Sequence, residues 1–342
     1  MLSLTRVSAG QASTYYKIDD YYLQEYGEWK GSLASELGLD DEIKEKDFQQ
    51  LIKGIDPNGK FEIQAGGKEN IHAAGVDLTF SAPKSVSIAG LVLDDNRILE
   101  AHNEAVNKTL AYIEQNYTNV RIHDGDKVYT EETGNMLTAK FQHVSSRELD
   151  PQLHTHCLVM NITKKEDGTF KAMDYKDIYD NKMFLGQFYR NELALNLKNL
   201  GYSIEVDKNG LFEIGGISKE LMKEFSTRSE QIKERLEELR HEYPTLPESK
   251  LKELATLDSR QNKKEADIAD LKLDWDKRVN EMGLNKDNVI SDMKSMESSK
   301  ENIEDLVNNA IKIATENEAV VKKEDILRVA AKLGTGQYRL EV

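Results

Sequence analysis

Polar and apolar residues alternate through residues 141–163, FQHVSSRELDPQLHTHCLVMNIT, in two runs separated by Asp150 and Pro151. A period of two predicts strands, and the Asp-Pro pair predicts a turn between them. Strand-like pieces at 127–129 and 136–141 lead into this stretch, and residues 76–80 form a further short β-prone run. The period changes to that of a helix at 97–116, where Leu99, Val106, Leu110 and Ile113 make the apolar face. Residues 81–84 read as a turn, 85–93 as a buried helix start with serine caps, and 27–52 as loop followed by helices. Residues 216–282 are helical in pattern, interrupted at Pro244 and Pro247, with Trp275 anchoring a last helix that stops near Gly283. Residues 285–301 read as a polar linker, and 319–338 contain a helix with a basic last turn and a stop at Gly334.

Three of the seven histidines fall in the alternating stretch. His154 and His156 are two apart, so their imidazoles leave the same face of a strand, and antiparallel pairing across the predicted turn brings His143 to them. A facial set of three histidines leaves coordination positions open, which lets a bound ion act as a Lewis acid. The competing reading of His154 and His156 is a solvated strand face. His102, on the predicted helix, reads as structural.

Composition narrows the partners. With 39% hydrophobic and 31% charged residues the chain is an ordinary globular protein, and no apolar run approaches membrane-spanning length. The start lacks a secretion-signal pattern, so a cytoplasmic location and no membrane insertion are expected. The single cysteine, Cys157, cannot form an internal disulfide and reads as a small buried strand residue. A net charge of -15 argues against nonspecific coating of nucleic acid and leaves only a local basic groove for such a partner.

Residues 12–26 hold five of the fourteen tyrosines, in a segment compatible with helix and capped by Ser13 or Thr14. Tyr15-Tyr16 and Tyr21-Tyr22 are two pairs, and residues about seven apart share a helix face, so one ring from each pair can reach a common site. Packing is the alternative for such rings. A phenol, with a pKa of about 10, attacks phosphorus only when an ion neutralises the phosphate or a base takes its proton. Asp77, in the β-prone run, is an unusual carboxylate unless paired; it can fix a histidine tautomer or accept a phenol proton. Lys84, at the turn, contacts a phosphate or is merely solvated. The run from Gly54 to Phe61 approaches a phosphate-loop pattern but ends in Phe where Ser or Thr is needed, and it reads as a turn instead.

Taken together, these stretches resemble the conjugative relaxases of the TrwC/TraI type, the MobF class of HUH tyrosine transesterases. The resemblance rests on the tyrosine pairs, DLTFSAPKSVS at 77–87, TGN at 133–135, SRELDPQLHTH at 146–156 and LGYSIEVDKNGLFEIGGISKELMKEFSTRSEQI at 200–232. It implies an α+β fold: a central antiparallel sheet with flanking helices and a helical C-terminal lid. The expected division is a relaxase domain at 1–284, a linker at 285–301, and the start of a truncated helicase-associated region at 302–342, with no ATP site.

The activity implied is metal-dependent nicking of one DNA strand at a transfer origin, leaving a 5'-phosphotyrosine link, and later rejoining. His143, His154 and His156 look like the metal ligands, Tyr15 like the nucleophile, Tyr21 like the second tyrosine, and Asp77 like the residue that activates the tyrosine or orients a ligand histidine. Tyr16 and Tyr22 are the alternates within each pair, and Lys84 and Arg147 flank the site as DNA contacts. Magnesium or manganese is implied, with zinc, nickel, cobalt or copper suited to imidazole ligands. Single-stranded DNA and a hairpin at the origin, accessory origin-binding proteins and a type IV secretion coupling protein are the implied partners, in a bacterial cytoplasm. The alternatives are a replication-initiator-type nickase, a metal-dependent phosphohydrolase in which water attacks, and a non-catalytic metal-containing DNA-binding protein.

Overall fold

The computed structural model describes residues 1–15, 27–39, 42–63, 73–259, 266–294, 302–316, 318 and 320–339. Strand β1 (Leu2–Ser8) runs into helix α1 (Ala9–Tyr15), β2 (Glu28–Lys30) into α2 (Ser32–Leu37) and α3 (Glu45–Leu51), and β3 (Ala73–Ser81) into α4 (Lys84–Leu91) and α5 (Asn96–Tyr117). Strands β4 (Asn119–Asp124) and β5 (Lys127–Glu132) make one hairpin, and β6 (Thr138–Ser145) and β7 (Pro151–Met160) another. Short strands β8 (Thr163–Lys164), β9 (Phe170–Lys171) and β10 (Met173–Asp174) precede α6 (Lys176–Asp180) and α7 (Lys182–Asn199). A small hairpin of β11 (Ile204–Val206) and β12 (Phe212–Ile214) leads to α8 (Lys219–Glu224), α9 (Thr227–Glu242), α10 (Glu248–Asp258) and α11 (Ile268–Glu281). The chain continues through α12 (Lys286–Asp292), α13 (Ile303–Ala314) and α14 (Lys323–Leu333).

The centre is an antiparallel sheet of order β1-β3-β7-β6-β2, so the fold is α+β as expected. Strand alternation sends Val76, Leu78 and Phe80 to one face, where α4, α5 and α7 cover them and α11 and α12 extend the same core. On the other face Ala74, Phe141, Leu158 and Met160 pack under α1, α2 and α3. That second cover stops partway along the sheet. Strand β7 records the limit: burial alternates over its first four residues and is continuous from Thr155 to Met160.

Two polar groups inside the core hold layers together. Lys140 is buried and its ammonium donates to Glu28 and Asn103 and, at 3.0 Å, to Asn107, tying β6 to the edge strand and to α5. A buried cation without such partners would be strongly destabilising. His102 is fully buried between the Tyr189 hydroxyl and Thr155 Oγ1, each at 2.8 Å, which bears out its structural reading.

Several local expectations are corrected. Ser13 lies inside α1, and the cap is Ser8, whose hydroxyl accepts from Gln11 N at 3.2 Å while Ser8 N donates to Gln11 Oε1 at 3.0 Å, a reciprocal capping box. Ser85 and Ser87 do not cap α4. They are buried within it: Ser87 Oγ accepts from Leu153 N at 3.0 Å, and Ser85 Oγ accepts from Ile214 N at 2.7 Å. The run from Gly54 to Phe61, by contrast, is the turn read from the sequence, with Gly59 N donating to Asp56 O and φ +76° at Gly59.

The linker expected at 285–301 is helix α12 over its first part. Asn285 caps it through Asp287 N, and Val289 and Met293 are buried in the main core, so its polar residues are the wet side of a docked helix. The region from 302 onward is not set apart either: α13 and α14 pack on each other, and α14 rests on α7. Two buried amides make that junction. Gln187 Nε2 donates to Thr335 Oγ1 at 3.0 Å, and Asn191 donates to Tyr338 O at 2.7 Å and accepts from Gly336 N at 2.9 Å. Among the described residues no helix is long and apolar enough to cross a membrane.

Burial pushes the His102 pKa well below the usual 6.5, with Lys140 and other nearby groups adding. The unfolded chain therefore binds a proton below that pH that the folded chain excludes, and stability falls as the solution becomes more acidic. Urea unfolding between pH 7 and pH 5 should show the parent losing more stability than His102→Gln, by roughly 2 kcal/mol at the acid end. Parallel pH profiles would mean that His102 is not held neutral.

Candidate functional site

The β6–β7 register places His143 directly opposite His154 and Phe141 opposite His156. All three imidazoles thus leave the sheet on one face, just beyond the part covered by α2 and α3. Ring centres lie 5.0 Å apart for His143 and His154, 5.1 Å for His143 and His156, and 5.3 Å for His154 and His156. An ion bonded at about 2.0–2.1 Å to each ring nitrogen in a tetrahedral arrangement needs ring centres roughly 5 Å apart, so the spacing fits. No set of three or more His, Cys, Asp or Glu side chains among the described residues is closed on a common point. Holding an ion therefore calls for ring rotation within the existing register.

The neighbouring strand decides which nitrogen faces out. In β3, Thr79 pairs with His156 and Ser81 with His154, and Asp77 lies two residues along on the same face. His156 Nδ1 donates to Asp77 Oδ2 at 2.7 Å, and the Thr79 hydroxyl donates to the same oxygen at 3.0 Å. His154 Nδ1 lies 2.9 Å from the carbonyl of Gln152, which can only accept. Both rings therefore carry their proton on Nδ1 and keep the lone pair of Nε2 for a ligand. Asp77 is buried, and its other oxygen, Oδ1, has no hydrogen-bond partner among the described residues. A buried carboxylate oxygen left unpaired in this way is uncommon and marks an unused hydrogen-bond acceptor.

The tyrosines are placed less fully. Helix α1 folds back against β1 and β3, with Ala12 packed beside Val7 and Ala74, and so lies on the histidine face of the sheet. Tyr15 ends that helix. Its side chain, and all of Tyr16, Tyr21 and Tyr22, lie outside the described residues.

The flanking cations differ from expectation. Lys84 is the first residue of α4 rather than a solvated turn residue, and its ammonium donates to Pro151 O at 2.9 Å. Burial lowers its pKa to about 8 against the opposing pull of Asp150. Arg147 is half-buried in the turn between β6 and β7. Two contributors escaped the sequence reading. Thr79 was within reach, since it follows Asp77 by two positions on a strand. Asp150 reads from the sequence only as a turn residue, because its contacts come from helices far away along the chain.

A family model described as TrwC relaxase matches residues 9–282. The multifunctional conjugation protein TraI of Escherichia coli (strain K12) is 34% identical over 298 residues, which is 83% of this chain and 16% of that protein. A second Escherichia coli TraI matches to the same extent, so the chain spans about a sixth of the length of these curated relatives. Among solved structures, the metal-bound conjugative relaxase TrwC in complex with oriT DNA aligns with a TM-score of 0.77 and 35% identity, over 84% of this chain and 100% of that one. Its copper-bound complex gives 0.76 and 36%, with the same coverage of both chains.

The tautomer assignment is open to direct measurement. Nitrogen-15 spectra of the imidazoles should show His156 protonated at Nδ1 and bare at Nε2 in the parent, and Asp77→Ala should lose that preference. An unchanged His156 pattern in Asp77→Ala would show that the carboxylate does not fix the ring.

Proposed function

Because the chain belongs to the TrwC relaxase family, we propose that it nicks one DNA strand at the transfer origin of a conjugative element by metal-assisted transesterification, and rejoins that strand after transfer. The observation that carries this reading is the three-imidazole face, with His154 and His156 each held through Nδ1, on the side of the sheet where α1 ends at Tyr15. A divalent ion held by His143, His154 and His156 would supply a Lewis acid that lowers the charge on the scissile phosphate.

The remaining work falls to the chain's own groups. Asp77 keeps His156 in the right tautomer through Oδ2, and its Oδ1, which has no hydrogen-bond partner among the described residues, is the acceptor for the phenolic proton of Tyr15. The Tyr15 oxygen attacks phosphorus in line, the P–O bond to the 3'-oxygen breaks, and that oxygen leaves as a hydroxyl after taking a proton from water, while the phenolic proton stays on Asp77. One phosphodiester replaces another, so the 5'-phosphotyrosine link can be reversed by an incoming 3'-hydroxyl. Tyr21 serves the later strand transfer, with Tyr16 and Tyr22 as alternates.

Three imidazoles favour zinc, nickel, copper, cobalt or manganese over magnesium by softness, and abundance in the cell favours magnesium or manganese. The DNA partner is single-stranded with an adjacent hairpin, met in the bacterial cytoplasm together with accessory origin-binding proteins and a secretion coupling protein. Lys84 and Arg147 flank the site as candidate phosphate contacts, and Lys84 already donates to Pro151 O. No ATP chemistry is assigned to this chain.

The deciding experiment mixes the protein with labelled single-stranded origin oligonucleotides, with and without manganese, and looks for a denaturation-resistant protein–DNA band. A metal-dependent adduct that mass spectrometry maps to Tyr15, and that Tyr15→Phe abolishes while DNA binding persists, is expected. Cleavage with no adduct would favour attack by water. In calorimetry, His154→Ala should weaken metal binding by more than about tenfold, since even outer partners of metal ligands cost that much.

A further inference from the structure

We propose that Asp150 is a positioning residue for the three-histidine site: it locks the tip of the β6–β7 hairpin to the helical layer and so holds His143 opposite His154. The inference rests on the metal-site reading above.

The need for a lock follows from the burial of β7. Register in a sheet is normally enforced because a slip by one residue turns every apolar side chain to the wrong face. From Thr155 to Met160 both faces of β7 are buried, so a slip there exchanges one covered face for another and is weakly penalised. The same slip would carry His154 and His156 through the sheet, away from His143. The pairing also shifts register between His143 and Ser145, immediately beside a ligand. Something other than the hydrophobic pattern must hold this end.

The tip provides it. Ser146 N donates to Asp150 O at 2.8 Å, and Leu149 sits at φ +64°, a conformation that a branched side chain adopts only when its surroundings insist. Donors from three helices converge on the three following groups. Trp275 Nε1 of α11 donates to Leu149 O at 2.8 Å, and Lys84 of α4 to Pro151 O at 2.9 Å. Between them the buried Asp150 carboxylate accepts from Thr227 N at 2.8 Å, Thr227 Oγ1 at 3.1 Å and Arg278 Nη1 at 3.1 Å. Arg278 is itself held by Glu224, at 2.9 Å, and lies over the Phe225 ring. Asp150 is four residues from His154 along extended backbone, so a displaced tip moves the ligand directly.

The test titrates Co2+ alone into the purified chain, reading affinity by calorimetry and coordination by the visible absorption band, with thermal melts alongside. Asp150→Ala should weaken Co2+ binding about tenfold and alter the band, with Asp150→Asn recovering part of both because it keeps one acceptor for Thr227 N. Thr227→Val, which retains the backbone donor, should show a smaller loss of the same kind and decides the matter if Asp150→Ala does not fold. Asp95→Ala, which uncaps α5 far from the tip, should lower the melting midpoint and leave Co2+ binding untouched.

Parent-like Co2+ affinity and band in folded Asp150→Ala or, failing that, in Thr227→Val overturn the proposal. His154→Ala separates the two readings. If it loses Co2+ while Asp150→Ala does not, only the positioning role falls. If it binds as tightly as the parent, the three-histidine site falls and the positioning role with it.

Discussion

A strand in the middle of a sheet covered on both faces has no wet side, and β7 is in that position for all but its first few residues. The site occupies the exception. Helices α2 and α3 cover one end of the second face, leaving the His143 end for polar side chains. The histidines, Asp77 and Thr79 fill that space in a mutually hydrogen-bonded or ring-stacked set, so the chemistry sits where the hydrophobic layer runs out. Burial does two things here at once. It makes the Asp77–His156 bond strong by excluding water, and it leaves Asp77 Oδ1 without a hydrogen-bond partner among the described residues.

How much of this could be read beforehand depended on whether one face of an element met water. The histidine set was legible because β6 and the start of β7 alternate, and residues 97–116 were legible because α5 has a wet side. Helix α7 shows the reverse. It is buried nearly all round, so the polar and apolar periodicity that marks a surface helix is absent. The polar residues of 285–294 hid a short docked helix whose core contacts, Val289, Ile290 and Met293, are too few to set a period. Edge strand β2 is three residues long and could not signal itself. Ser85 and Ser87 carried a correct local cue, a serine near a helix start, that distant backbone groups then claimed.

Charge tells a related story. The overall acidity suggested that DNA affinity must come from a local groove, and the helical lid offered cations for it. In the α9–α10 pair, however, Arg235 is engaged by Glu238, Glu242 and Asp258, and Arg240 by Glu237 and Glu248. These surface networks are each weak, yet they leave little uncompensated positive charge on that hairpin. The α9–α10 hairpin is therefore not the local basic groove that the overall acidity leaves as the route to a nucleic-acid partner.

The amide junction between α14 and α7 has a mechanical side. Tension applied at the carboxy-terminal end passes through Gln187 and Asn191 into α7, and from Tyr189 on that helix through His102 to Thr155, the residue between His154 and His156. One branch of that connection ends on the strand that carries His154 and His156. A pull from that end would therefore load β7, through His102, and β1, against which α7 packs directly, at the same time.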